Sequence, residues 1–263
     1  MKNLKKEIQK YWSNSVPGLD EASKHYEPGT PDFYRAVDSR RYQDDPYITR
    51  LLDELADDAG RLLEIGFGLG SDIRYLSKKG AKVFGIDLSP GNARLSTRGF
   101  SVLGLPGKAL AGDAENLPFA DESFSLVYSF GALHHTPDTD KALREIERVL
   151  KKKGRFLIML YHQGLAYRWI NLQYQLQKFR EGNVSREDMI TRKYDHTPLS
   201  KMYSRNELQR MFNNFRNVRI DIVTYGGVKR NRKLFWIYYL LNAIPLLMKA
   251  LGSFAVIKGE KSG

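Results

Sequence analysis

Short apolar runs alternate with amphipathic stretches between residues 61 and 160, and this alternation predicts most of the fold. The runs Arg61–Ile65, Val83–Ile86, Phe124–Phe130 and Gly154–Leu160 have the length and composition of buried strands. Between them lie helical stretches such as Lys141–Leu150, where Leu143, Ile146, Val149 and Leu150 recur at helical spacing. Strands alternating with helices imply an α/β domain with a parallel sheet and crossover helices. Outside this block, residues 1–12 read as a helix with Leu4, Ile8, Tyr11 and Trp12 on one face, and residues 13–31, with three prolines and two glycines, as a loop. Residues 32–59 predict helices, the clearest carrying Ile48, Leu51, Leu52 and Leu55. Residues 162–203 are too long for a simple connection and read as an inserted lid, helical from Leu165 to Phe179. Ser204-Arg-Asn-Glu207 has the form of a capping box opening a helix through Phe212. Residues 217–224 and 253–258 read as the last two strands.

The first strand ends in chemistry. Glu64 is followed by Gly66, Gly68 and Gly70, and the next strand ends in Asp87. Glycines let backbone approach a ligand where a Cβ would block it. A carboxylate at the following strand end can accept both hydroxyls of a ribose. The glycine register is tighter than the Gly-x-Gly-x-x-Gly of a pyrophosphate site. An acid just before the first glycine suits a ligand bearing positive charge.

This Glu-x-Gly-x-Gly-x-Gly pattern resembles motif I of the class I S-adenosylmethionine (SAM)-dependent methyltransferases. The resemblance continues in order through Gly112-Asp-Ala-Glu-Asn-Leu-Pro-Phe119, Phe124–Phe130, Lys141–Leu150 and Gly154–Leu160. It covers roughly residues 60–161 and is most similar to the ubiquinone/menaquinone C-methyltransferase-like, or type 11, branch. It implies a Rossmann-like sheet of seven strands, the last antiparallel, with helices on both faces. SAM is the cofactor it implies. Glu64, Gly66, Phe67, Gly68 and Gly70 would hold the methionine portion and Asp87 the ribose. Leu88 would pack on adenine, and Asp113 and Ala114 would meet its edge. Ser129 and Phe130 complete the cofactor set.

For the acceptor, His134 and His135 follow the fourth strand, His162 the fifth, and His196 lies in the lid, all mapping to the carboxyl end of the sheet, where ligands bind. An imidazole suits proton abstraction near neutral pH. His135, then His134, is the expected residue nearest the transferred methyl; Tyr161, His196 and Tyr203 are expected to orient the acceptor. No metal is assigned, because the strand-end acids of metal-dependent catechol methyltransferases are not evident after the fourth strand. Ser129-Phe-Gly-Ala132 differs from the Asn/Asp-Pro-Pro-Tyr/Phe of enzymes that methylate amino groups of adenine or glutamine, which disfavours that chemistry. Two departures also turn the reading from a quinone: His134-His135 replaces the Arg-Asn pair of quinone enzymes, and Lys152-Lys153-Gly154 lacks the usual proline.

Composition narrows the class further. The chain has 263 residues, enough for one domain with a lid, and no cysteine, which disfavours cytosine C5 methylation by a thiolate and arsenic methylation by thiols. The formal charge of +12 is uneven: residues 1–12 carry four lysines against one glutamate, and residues 226–263 carry seven basic residues against one acid. Basic ends around a near-neutral core point to an anionic membrane surface and away from nucleic acid. The apolar segment Leu234–Met248 follows Lys229–Lys233, contains Pro245 and falls short of the roughly 20 residues that span a bilayer. It reads as an interfacial helix or as a core, dimer or pocket-lining helix. The N-terminus lacks the apolar core of a signal peptide, which predicts a cytoplasmic protein, peripheral at the membrane.

The expected organisation is therefore N-terminal helices over the cofactor site (1–59), a cofactor-binding core (60–161), the lid (162–203) and a C-terminal completion of the sheet (204–263) with a basic-flanked apolar helix at 229–251. The expected activity is methyl transfer from SAM to a small hydrophobic or lipid-like acceptor. The alternatives are an NAD(P)-dependent oxidoreductase and a non-catalytic SAM-binding partner protein at membranes.

Overall fold

In the computed structural model of the chain, residues 2–44, 46–56, 60–181, 196–223 and 252–263 are described. The strands are β1 (Arg61–Ile65), β2 (Lys82–Asp87), β3 (Lys108–Ala111), β4 (Phe124–Phe130), β5 (Leu150–Tyr161), β6 (Phe215–Val223) and β7 (Phe254–Lys261). They form one seven-stranded sheet in the order β3-β2-β1-β4-β5-β7-β6. The first five pair parallel with one another, and β7 pairs antiparallel with both β5 and β6. This is the expected sheet, with strand bounds shifted by a few residues at β6 and β7.

Alternation along the strands sets the two layers. On β1, Leu63 and Ile65 join a core with α7 (Thr139–Val149) and α9 (Arg205–Met211), while Leu62 faces α4 (Pro46–Ala56) and α5 (Ser71–Lys78). Helix α6 (Pro90–Val102) starts where Ser89 accepts from the Asn92 amide, and α7 where Asp138 accepts from the Lys141 amide. The expected capping box is present in full: the Ser204 hydroxyl accepts from the Glu207 amide, and the Glu207 carboxylate from the Ser204 amide.

The N-terminal segment packs against the glycine turn. Helix α1 (Lys2–Asn14) is followed by α2 (Leu19–Ser23), a short helix inside the stretch expected to be loop; its Gly18 N-cap takes a left-handed φ of 88°. Val16, Ala22, Phe33, Tyr34, Val37 and Leu69 form a third small core beneath α3 (Pro31–Asp44). Arg74 of α5 is fully buried at its edge, pairs with Asp38 of α3 at 2.5 Å, donates to the Leu69 carbonyl and lies 4.8 Å from the Tyr34 ring. A buried guanidinium needs such partners, because taking charge out of water is costly. Helix α8 (Leu165–Glu181) matches the helical part of the expected lid. The expected apolar helix at 229–251 lies outside the described residues.

Candidate functional site

At the carboxyl end of β1, β2 and β4 opens a cavity of about 550 Å³, the size of a site for a cofactor-sized ligand. One wall is the glycine turn. Gly66 and Gly68 line it with φ of 76° and 55°, and a Cβ on Gly66 would overlap that of Ala132. The next turn residue, Gly70, also has a left-handed φ (79°) but faces away, packed on Ser96 where α5 begins.

Glu64 lines the same wall and is almost wholly buried. Its Oε2 has no hydrogen-bond partner among the described residues. Burial, then the nearby Asp72 carboxylate, pushes the Glu64 pKa well above its ordinary value, against the pull of Arg41. An orphaned carboxyl oxygen facing a cavity is a receptor for a cationic or hydrogen-donating ligand. Asp87 is more fully occupied. Its Oδ1 accepts from Ser89 N (2.8 Å) and Asn92 Nδ2 (3.1 Å), and its Oδ2 from Gly68 N (2.9 Å). Burial raises its pKa despite those bonds. The carboxylate thus ties the glycine turn to α6 and keeps acceptor capacity on Oδ2.

Helix α1 covers this wall. Lys5 reaches Asp113 (2.6 Å) and Glu115 (2.5 Å), Gln9 donates to the Leu88 carbonyl (2.8 Å), and the Ser13 and Ser89 hydroxyls meet at 2.8 Å. Burial opposes charge on Lys5 and Glu115, but their contact outweighs it: the lysine pKa lies above its ordinary value and the glutamate below. Glu115 also accepts from Thr136 Oγ1 (2.7 Å) and Asp138 N (2.8 Å), joining the loop after β3 to the loop after β4.

A second part of the lining is aromatic. Phe130, Met159, Tyr161 and Phe254 line it, with Arg41 from α3 and His135 from the 3₁₀ turn Leu133–His135. The His135 Nδ1 lies 2.7 Å from the Leu199 carbonyl. A carbonyl can only accept, so Nδ1 carries the proton in the neutral ring and Nε2 is the basic nitrogen. Trp12 of α1 packs 4.9 Å from the His135 ring. The Arg41 guanidinium grips Asp72 with both arms (3.2 and 2.9 Å), and Asp72 also accepts from the Tyr128 hydroxyl (2.9 Å). Arg41 sits 5.3 Å from the centre of the Phe130 ring.

The comparisons with known proteins agree with this architecture. The methyltransferase domain model of the type 11 family matches residues 63–158. Residues 63–158 form a class I methyltransferase domain. The chain is 34% identical over 98 residues to a sterol 4-C-methyltransferase of Caenorhabditis elegans and 36% identical over 110 residues to a chloroplastic tocopherol O-methyltransferase of Arabidopsis thaliana. These stretches cover 36% and 40% of this chain, and 29% and 32% of the relatives. The chain thus spans about a third of the length of these relatives. Its fold is similar to that of a geranyl diphosphate C-methyltransferase from Streptomyces coelicolor A3(2), with a TM-score of 0.64 at 17% identity, covering 98% of both chains. The methyltransferase match leaves the oxidoreductase alternative without support.

In this methyltransferase domain, Glu64, Gly66, Phe67, Gly68, Asp87, Leu88, Asp113, Ala114 and Phe130 line the cavity, as do His135 and Tyr161. Other expected site residues do not. Ser129 is fully buried in β4 and donates to the Ile65 carbonyl (2.9 Å), because alternation turns it into the sheet. His134 is fully buried behind Tyr161, their rings stacked at 3.6 Å, and neither ring nitrogen has a hydrogen-bond partner among the described residues. Burial, then the neighbouring His135, holds its pKa well below its ordinary value, so the ring is neutral. Tyr203 donates to Thr139 Oγ1 (2.8 Å) outside the cavity, and His196 is exposed. Arg41, Asp72, Trp12 and Phe254 reach the cavity unannounced by any motif. Only Asp72 left a trace in sequence, as an acid in the first turn after the glycines.

Proposed function

We propose that the protein is a methyltransferase that uses SAM to methylate a small, hydrophobic or lipid-like acceptor, with His135 as the base. The single observation that carries this reading is the cavity itself: a glycine-and-acid wall and an aromatic wall line one continuous space. SAM supplies an activated methyl group when bound. The Glu64 wall suits its charged methionine end, and Asp87, Leu88, Asp113 and Ala114 suit its nucleoside. The aromatic wall gives the acceptor an apolar bed and excludes water. His135 takes up the acceptor's proton at Nε2, while the Leu199 carbonyl keeps Nδ1 protonated and the ring in place.

The named relatives support the acceptor class: a sterol, a tocopherol and geranyl diphosphate are all hydrophobic or carry a hydrophobic tail. The net charge of +12 supports an anionic membrane as the source of such an acceptor. To test the reading, the protein is incubated with methyl-labelled SAM and whole-cell extract, and the label is partitioned between organic and aqueous phases. Label in the organic phase is expected. Label only in the aqueous phase would overturn the hydrophobic acceptor, and no transfer at all would overturn the activity.

A further inference from the structure

Helix α8 begins four residues beyond Tyr161, the cavity-lining end of β5. Among the described residues it exposes large apolar side chains: Trp169 at 57%, Leu172 at 50%, Leu176 at 58% and Phe179 at 93%. Their spacing of three, four and three residues places them on one stripe along the helix. At about 100° per residue, Arg168 borders this stripe on one side and Arg180 on the other, and both are exposed. The helix carries three basic residues and a single acid, Glu181 in its last position.

We infer that this stripe of α8 is a docking surface for an anionic lipid bilayer. A tryptophan and a phenylalanine on an apolar face, bordered by arginines whose stems can lie along it, match the surface of an interfacial helix. Charge complementarity favours lipid, since the chain is strongly basic and the stripe's borders are cationic. The area disfavours a second copy of the chain. With roughly 150–250 Å² for a whole aromatic side chain, four partly exposed side chains offer on the order of 500 Å², short of the ~800 Å² per partner of a stable protein interface. An apolar patch of that size still marks a contact surface. Docked this way, the protein would hold its aromatic wall close to the bilayer, which deepens and rests on the lipid-like acceptor reading.

The test is co-sedimentation of the full chain with phosphatidylcholine vesicles, with and without phosphatidylglycerol. The variants are Trp169→Ser/Phe179→Ser and Arg168→Gln/Arg180→Gln. An unchanged melting-point shift with S-adenosylhomocysteine shows that each keeps its fold. Binding is expected only to vesicles containing phosphatidylglycerol. It should fall at least about tenfold in the aromatic variant and become weaker and less salt-dependent in the arginine variant. Equal binding by wild type and the aromatic variant would overturn the assignment. So would an absence of vesicle binding with dimers that the aromatic variant abolishes, which would make the stripe a self-association face. An absence of both, with a lower melting point in the variant, would mean that the chain covers the stripe itself and would also overturn it. Binding lost in the variant while labelled methyl stays in the aqueous phase would keep the docking surface and remove only the lipid acceptor.

Discussion

On the glycine-and-acid wall, the groups that line the cavity come largely from Glu64 to Asp87, which spans two consecutive strands, the glycine turn and the start of α5. On the aromatic wall they come from Arg41, Phe130, His135, Tyr161 and Phe254, scattered from the N-terminal helices to the last strand. The first wall is mostly backbone, held by left-handed glycines and two buried acids. The second is side chains brought together only by the folded sheet. Local backbone geometry demands particular residues at particular spacings, whereas a side-chain wall can be assembled from almost any apolar set of the right volume.

The contrast can be strained from beneath. Asp38 neutralises Arg74, whose other bond holds the Leu69 carbonyl at the glycine turn. Asp38→Ala leaves a buried guanidinium uncompensated, so unfolding free energy should fall by about 3–5 kcal/mol in denaturant titrations. An unchanged midpoint would mean the pair does not support the turn. The walls should then separate in function. His135→Ala is expected to lower kcat by about a hundredfold or more while S-adenosylhomocysteine affinity stays near wild type. A matching loss of affinity would show that the histidine belongs to the cofactor wall.

Glu64 offers a test by pH. Its folded-state pKa is raised by burial, so the folded protein holds the proton more tightly than the unfolded chain. Stability of the free protein should therefore fall as pH rises from the ordinary glutamate value of 4.5 toward the raised one. A cation bound beside Glu64 favours the carboxylate, so ligand affinity should rise over the same window, with a proton released. Calorimetric titration with S-adenosylhomocysteine in buffers of different ionisation enthalpy measures that proton. Glu64→Gln should abolish both the slope and the release, and their persistence would place the proton elsewhere. The smallest expected effect is at Ser129. Ser129→Ala removes one buried hydrogen bond, about 1 kcal/mol, and should leave cofactor affinity untouched; a weakened affinity would return Ser129 to the site.

How much of this was readable beforehand follows from the same contrast. The sheet, its order of strands and helices, the Ser204 cap and most of the glycine-and-acid lining of the cavity were legible, because strand alternation, capping and positive-φ glycines leave local signatures. Ser129 misled because adjacency in a motif does not say which face of a strand a residue takes. His134 and His135 are neighbours in sequence with opposite fates: one lines the cavity, the other stacks behind Tyr161. Arg41 and Asp72 form a pair across 31 residues, and nothing local in either announces the other. The short helix α2 was hidden by flanking prolines and glycines that read as loop.

Helix α1 is tied by side chains to the rim it covers, and that sets a clock. With Lys5, Gln9 and Ser13 anchored to Asp113, Leu88 and Ser89, anything bound beneath α1 would have to wait for these three contacts to break before leaving along this side. Turnover would then be paced by the lifting of an N-terminal flap. A change at Gln9 or Ser13 that loosens the helix should then shorten the dwell time of the product without touching a single residue of either wall.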